Sequence, residues 1–136
     1  MPVLFGEEHV RRYRETDGED GFVWREGSHI LILTTTGRRT GRERDAPLIF
    51  GEDDGRHVIV ASKGGAPRHP GWFLNLRANP EVGVQVRADR FRARARVAEG
   101  EERARLWELM LAEWPHYAEY QERTERQIPV VVLERL

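Results

Sequence analysis

With 136 residues, 33% of them charged and no cysteine, the chain suits one compact domain, residues 1–136, that closes its core without disulfides or a structural zinc. The missing thiols exclude cysteine nucleophiles, disulfide exchange and cysteine-ligated metal sites, and His9, His29, His57, His69 and His116 are too scattered for an i, i+4 pair, so no metal is expected. A formal net charge of −1 argues against a nucleic-acid binder, whose affinity for phosphate backbones needs many uncompensated cations.

The first residues, Met1 to Glu8, have neither a basic flank nor a long apolar run, so no signal peptide or membrane span is expected. The protein reads as cytosolic, compatible with at most a weak contact to a membrane surface. Residues 1–20 form an N-terminal helical segment, with the helix over Glu7 to Arg14 and polar and glycine residues ending it at Thr16 to Asp20. Strands follow at His29 to Thr36, Ala46 to Phe50 and His57 to Ser62, with Asp53-Asp54-Gly55 as a hairpin signal. A short helix over Pro70 to Arg77 has proline at its first position and ends at Asn79-Pro80. Glu81 to Arg87 and Phe91 to Val97 make a second hairpin around Ala88-Asp89. In the latter strand Phe91, Ala93, Ala95 and Val97 share one face and Arg92, Arg94 and Arg96 the other. Leu106, Met110 and Trp114 recur at helical spacing in Glu101 to Trp114, which Pro115 stops. Ile128 to Glu134 is the last strand. Six short strands with two helical excursions predict a mainly β, α+β fold, a small antiparallel barrel with flanking helices.

Two glycine-containing basic segments carry the chemical signal. In Thr34 to Arg44, Gly37 and Gly41 let the backbone turn while Arg38, Arg39, Arg42 and Arg44 supply forked donors that match phosphate or carboxylate. The spacing is that of neither a Walker loop nor a dinucleotide turn. In Ser62 to Trp72, the sole lysine of the chain, Lys63, sits among glycines and prolines against a background of arginine, which marks a place where a compact ammonium fits and a planar guanidinium does not. Arg68 and His69 are further candidate donors there. Trp72, Phe73 and Asn75 offer flat surface and an amide beside the two loops. An apolar wall with an anion clamp and few other polar groups suits a large aromatic cofactor that carries phosphate. Tyr117 and Tyr120, at i, i+3, can present hydroxyls toward a carbonyl or nitro oxygen. Ser62 lacks the elbow sequence of a serine hydrolase, and no carboxylate pair stands out for glycoside hydrolysis. Hydride transfer needs neither arrangement.

Taken together, Leu31 to Arg42, Ala61 to Trp72, Asn75 to Pro80 and Tyr120 to Pro129 resemble the deazaflavin-dependent nitroreductase family, in that family's order and over nearly the whole span from Leu31 to Leu133. The resemblance implies a split β-barrel that binds reduced coenzyme F-420, an 8-hydroxy-5-deazaflavin, and passes hydride to a quinone, a nitro compound or an activated alkene. It implies that Arg38, Arg39, Thr40, Arg44 and Lys63 surround the coenzyme's phosphate and anionic tail. Asp45, Ala46, Pro47, Leu48 and Ile49, with Val60, Ala61 and Ser62, would line the deazaflavin. Gly71, Trp72, Phe73, Leu74 and Asn75 would close another side. Tyr117 matches a position near ring and substrate, and Ser62 and Tyr120 are the polar contacts for the acceptor. Ile49 and Phe50 replace the polar or tyrosine-bearing choices of some relatives, so nitroimidazole reduction is not implied, and Asp45 beside Arg44 is expected to weaken the local positive field. The rival readings are an FMN- or haem-binding barrel and a carrier that holds deazaflavin without turnover. Monomer and homodimer are both compatible with the sequence.

Overall fold

The computed structural model describes residues 3–136. Helix α1 (Gly6–Thr16) leads into six strands: β1 (Ile30–Thr36), β2 (Glu43–Asp53), β3 (Arg56–Val60), β4 (Glu81–Val86), β5 (Asp89–Val97) and β6 (Val130–Arg135). Helix α2 (Gly71–Ala78) lies between β3 and β4, and α3 (Gly100–Glu113) and α4 (Tyr117–Glu122) lie between β5 and β6. The strands close into an antiparallel barrel in the order β1-β2-β3-β6-β5-β4. Closure removes both sheet edges, so every backbone row is paired.

Burial on the two sides of each strand explains the sequence patterns. Leu31 and Leu33 of β1 point into the barrel with Ile59, Val131 and Leu133. Ile30 and Ile32, on the outer side, are buried under Val10 and Tyr13 of α1. Likewise Val58, Val60, Val130 and Val132 pack under Leu106, Met110 and Trp114. Strands covered on both faces read as continuous apolar runs rather than as alternation. No helix covers β5, so it alternates as expected: Ala93 and Ala95 are buried and Arg92 and Arg94 are exposed.

Two contacts fix the helices on this frame. The Tyr13 hydroxyl, fully buried, donates to the Ile30 carbonyl at 2.9 Å and accepts from the Arg87 backbone N–H at 2.8 Å, which ties α1 to β1 and to the β4–β5 turn. A side chain at Gly51 would put a Cβ 2.6 Å from Leu109 and 2.8 Å from the Met110 sulfur, so glycine is what lets α3 lie directly on β2.

Several boundaries differ from the expected ones. The β4–β5 turn is Arg87-Ala88, with Val86 opposite Asp89 and Arg87 at φ 55°, one residue earlier than the expected Ala88-Asp89. Pro70 is the residue before α2, extended at ψ 151°, rather than its first helical residue. Strand β2 runs from Glu43 and so carries part of the basic segment in paired structure. Helix α4 was not signalled by periodicity, because six residues are too few to show a period and too short to be stable without tertiary support.

At the end of the barrel where β1 starts, Asp53 accepts from Arg105 of α3 at 2.6 Å and from Arg56 at 2.6 Å. These two guanidinium hydrogen bonds lower its carboxyl from 3.8 to about 2. A carboxylate with a depressed folded-state value contributes stability that is complete above the unfolded value and is lost as pH falls toward the folded one. Acid unfolding followed by circular dichroism should therefore show wild-type stability falling between the unfolded value near 3.8 and about pH 2, and Asp53→Asn should be less stable at neutral pH with a flatter profile across that window.

Candidate active site

Two adjoining cavities share Trp72 as a common wall. The larger, about 540 Å³, is lined on the barrel side by Pro47, Leu48 and Ile49 of β2 and by Val60 at the end of β3. Ser62, Lys63 and Gly64 form one rim, and Trp114, Tyr117 and Tyr120 form another part of the wall. The smaller cavity, about 380 Å³, is lined by Arg38, Arg39, Thr40, Arg44, Asp45 and Ala46 from the β1–β2 hairpin, with Gly71 and Asn75 of α2. Ala61 and Phe73, by contrast, belong to the barrel core, and Leu74 packs against it, so these three sit behind the walls instead of lining them.

The cations divide by partner. Over much of the surface arginines are matched to carboxylates, as in Arg96 with Glu102 and Arg135 with Asp89. Among the described residues no ion pair forms to Lys63, Arg38, Arg39, Arg42 or Arg44. Asp45 does not offset them as its place beside Arg44 led us to expect. Its carboxylate accepts from Thr34 at 2.5 Å and from Arg14 of α1 at 3.0 Å, and that arginine neutralises it. The smaller cavity is therefore lined by three arginines, Arg38, Arg39 and Arg44, against one carboxylate, Asp45, that is itself paired with Arg14, and this excess of positive charge favours an anion.

Asn75 acts as a support within this wall. Its Oδ1 accepts from the Arg38 backbone N–H at 3.2 Å and from Arg38 Nη1 at 2.9 Å, while its Nδ2 donates to Thr35 Oγ1 at 3.1 Å. The side chain is buried with both ends engaged, so it orients Arg38.

The loop bearing Lys63 is unusual in its backbone. Lys63, Gly64 and Gly65 have φ of 48°, 63° and 85°, a left-handed run that costs a lysine about 1–3 kcal/mol and persists only where surrounding structure enforces it. A Cβ at Gly65 would lie 2.6 Å from the Tyr120 carbonyl oxygen, so this loop rests against the backbone of α4.

Burial, with Tyr120 and Glu113 near it, pushes the Tyr117 hydroxyl up, so it stays protonated and can only donate or accept as a neutral group. Trp114 Nε1 donates to the Tyr120 hydroxyl oxygen at 3.3 Å, which leaves the Tyr120 hydrogen free for a ligand. His69 does not serve as a donor through Nδ1, as the sequence suggested. That atom accepts from Arg126 at 3.1 Å, and burial together with the Arg126 and Arg77 charges holds the ring's value down and the ring neutral.

The N-terminal contribution was not legible. Phe5, Gly6 and His9 of the first helix region and Trp24 and Arg25 cap the larger cavity. Trp24 stacks 5.7 Å from Trp114 and meets Phe5 edge-on at 5.6 Å, and His9 is held by the Gly21 carbonyl at 2.8 Å. In the sequence Phe5 and Trp24 are two of four aromatic residues, with Tyr13 and Phe22, in a largely charged stretch. No ring spacing links them before the chain folds.

The family described as F420H(2)-dependent quinone reductase matches residues 5–135. An F420H(2)-dependent quinone reductase of Mycobacterium tuberculosis is 42% identical over 130 residues, covering 93% of this chain and 87% of that protein. A solved F420-H2 dependent reductase is 46% identical with a TM-score of 0.72, covering 77% of this chain and 93% of its own. A second solved structure, described as a domain-swapped dimer, is 42% identical with a TM-score of 0.75, covering 93% of this chain and 95% of its own.

Removal of the Asn75 support tests the geometry of the smaller cavity. Asn75→Ala should lose about 1–3 kcal/mol in urea unfolding, the cost of leaving a buried donor without its acceptor, with the barrel's circular dichroism retained.

Proposed function

Because this chain belongs to the F420H(2)-dependent quinone reductase family, we propose that it is a coenzyme F-420-dependent reductase whose larger cavity holds the deazaflavin ring and the acceptor, and whose smaller cavity holds the phosphate and anionic tail. The observation that carries the placement is the set of uncompensated cations beside an aromatic cavity, joined through Trp72. A flat ring with an anionic extension needs such a pair of adjoining environments. The donor set also fits the chemistry of the coenzyme's tail. Arg38, Arg39 and Arg44 offer forks to phosphate and carboxylate oxygens, Thr40 a hydroxyl, and Lys63 a compact charge on the rim of the larger cavity.

When bound, the reduced coenzyme supplies a hydride, so the protein needs to supply position, polarity and a proton. Trp72 and the β2 segment Pro47 to Ile49 would hold the ring. Phe5, Trp24 and Trp114 add apolar surface to the cavity and favour an apolar acceptor of the quinone type; nitro compounds and activated alkenes share the required electron-poor π system. Tyr120 Oη, relieved of any need to donate within the protein by the Trp114 contact, would donate to an acceptor oxygen and pass it the proton that accompanies the hydride. Tyr117, neutral and facing the same cavity, gives a second hydroxyl, and Ser62 a third polar contact. The 42%-identical structure described as a domain-swapped dimer supports a homodimer as one assembly of this chain. Among the described residues no helix is long and apolar enough to cross a membrane.

The test is a fluorescence titration with coenzyme F-420 and, in parallel, FMN, followed by addition of menadione to the reduced complex. Preferential binding of the deazaflavin with quinone-accelerated oxidation is expected, whereas binding without turnover would indicate a carrier and preference for FMN would reverse the cofactor assignment. Lys63→Ala and Arg39→Ala should each weaken coenzyme binding roughly tenfold to a hundredfold, the worth of a charge-assisted contact of about 1.5–3 kcal/mol, with an unchanged melting temperature. Unchanged affinity in folded Lys63→Ala would remove Lys63 from the clamp.

A further inference from the structure

Arg126 lines neither cavity and forms no ion pair among the described residues, yet its side chain makes more directed contacts than any arginine of the two basic loops. Nη2 donates to the Ser62 carbonyl at 2.7 Å, Nε to the Ala66 carbonyl at 2.9 Å, and Nη1 to the Ala61 carbonyl at 3.2 Å and to His69 Nδ1 at 3.1 Å. One guanidinium thus grips the Lys63 loop on both sides of its left-handed run and fastens His69, two residues before α2. Its own backbone is held in turn: Gln121 of α4 donates to the Arg126 carbonyl at 2.7 Å and accepts from the Ile128 N–H at 3.0 Å.

Fixing these carbonyls fixes more than the loop's path. In a trans peptide the N–H points away from the C=O, so holding the Ala61 and Ser62 carbonyls sets the directions of the Ser62 and Lys63 amides. The Ser62 carbonyl also accepts from the Gly65 N–H at 3.0 Å, and the Lys63 carbonyl from the Ala66 N–H at 3.1 Å. Arg126 therefore closes over a turn that already bonds to itself, and supplies the outside restraint that a lysine at φ 48° requires. No other residue type does this. A lysine in its place is a point charge without the planar fork that reaches several acceptors in one plane.

Resting on the proposed coenzyme reading, we propose that Arg126 is a positioning residue for coenzyme binding: it holds the Ala61–Ala66 loop so that Lys63 and the adjacent backbone meet the coenzyme's anionic part at the rim of the larger cavity. Its effect runs through Lys63, and its charge, unmatched by any carboxylate among the described residues, adds to the field of the same loop.

The test uses the full chain, with Arg126→Gln, Arg126→Lys and Lys63→Ala, and the double variant Arg126→Gln/Lys63→Ala. Without any ligand, hydrogen–deuterium exchange of the Gly65 and Ala66 amides should speed up in Arg126→Gln while the barrel strands keep their protection; unchanged protection in the loop would overturn the proposal. In titrations, Arg126→Gln should weaken binding of coenzyme F-420 about tenfold or more, on the scale of a lost charge-assisted contact. Binding of the phosphate-free ribityl deazaflavin should change by less than about twofold, since contacts outside the clamp are independent of it. Arg126→Lys should not restore the coenzyme affinity. In the Lys63→Ala background the Arg126→Gln effect should shrink, as coupled positions do. Equal losses for coenzyme and fragment, full rescue by lysine, or strict additivity with Lys63→Ala would each overturn the proposal. Failure of the wild type to bind the coenzyme would instead remove the functional reading, and the ligand-free exchange result would still decide whether Arg126 holds the loop.

Discussion

Lys63, Gly64 and Gly65 occupy left-handed backbone in succession, and the arrangement of the site follows from keeping them there. Two of the three are glycines, which accept that region without a side-chain penalty. The lysine is not so favoured, and its conformation persists because three neighbours bear on the loop: the end of β3 before it, the backbone of α4 against Gly65, and the Arg126 guanidinium across its carbonyls. Strain of this kind is stored where a group must be presented in one direction. Here the group is the one lysine of the chain, and it stands on the rim of the aromatic cavity.

The barrel sorts charge as well as it sorts hydrophobicity. Where strands are covered by helices, both faces are apolar; where β5 is bare, its outer arginines meet Glu81, Glu102 and Glu134. Among the described residues the cations of the two loops are left without ion-pair partners, and the acid that lines the smaller cavity with them, Asp45, is turned to Arg14 and Thr34. Ion pairs on an exposed surface contribute little to stability, so the unpaired set costs the fold little. Its consequence is electrostatic: the loops can receive an anionic ligand without first breaking internal pairs.

Enclosure of the larger cavity depends on parts of the chain distant in sequence. Phe5 comes from the start of α1, Trp24 from the segment between α1 and β1, and Trp114, Tyr117 and Tyr120 from beyond the long helix, and they meet because α1 and α3 pack on neighbouring strands of one closed sheet. His116 joins the two sides again, with Nε2 2.8 Å from Glu26. An apolar acceptor is thereby offered a wall built from both ends of the chain.

The barrel class, the six strands and both basic loops were legible in the amino-acid sequence because they are local: alternation and apolar runs mark strands, an Asp-Gly pair marks a hairpin, and glycine beside arginine marks a turn that exposes donors. The isolated Lys63 was legible as an anomaly of composition. The roles of Arg126, Asn75 and Asp45 were not, since each depends on which carbonyl, amide or cation lies opposite after folding, and no spacing along the chain encodes that. Arg126 sits in a polar stretch between Glu125 and Gln127, where nothing distinguishes it from the twenty other arginines. Sequence alone determined which elements form and which residue types are present to bind an anionic aromatic cofactor. Tertiary structure decided which cations stay unpaired, which aromatic residues enclose the cavity and which arginine holds the loop, because hydrogen-bond partners and counter-charges are set by approach in space across a closed barrel.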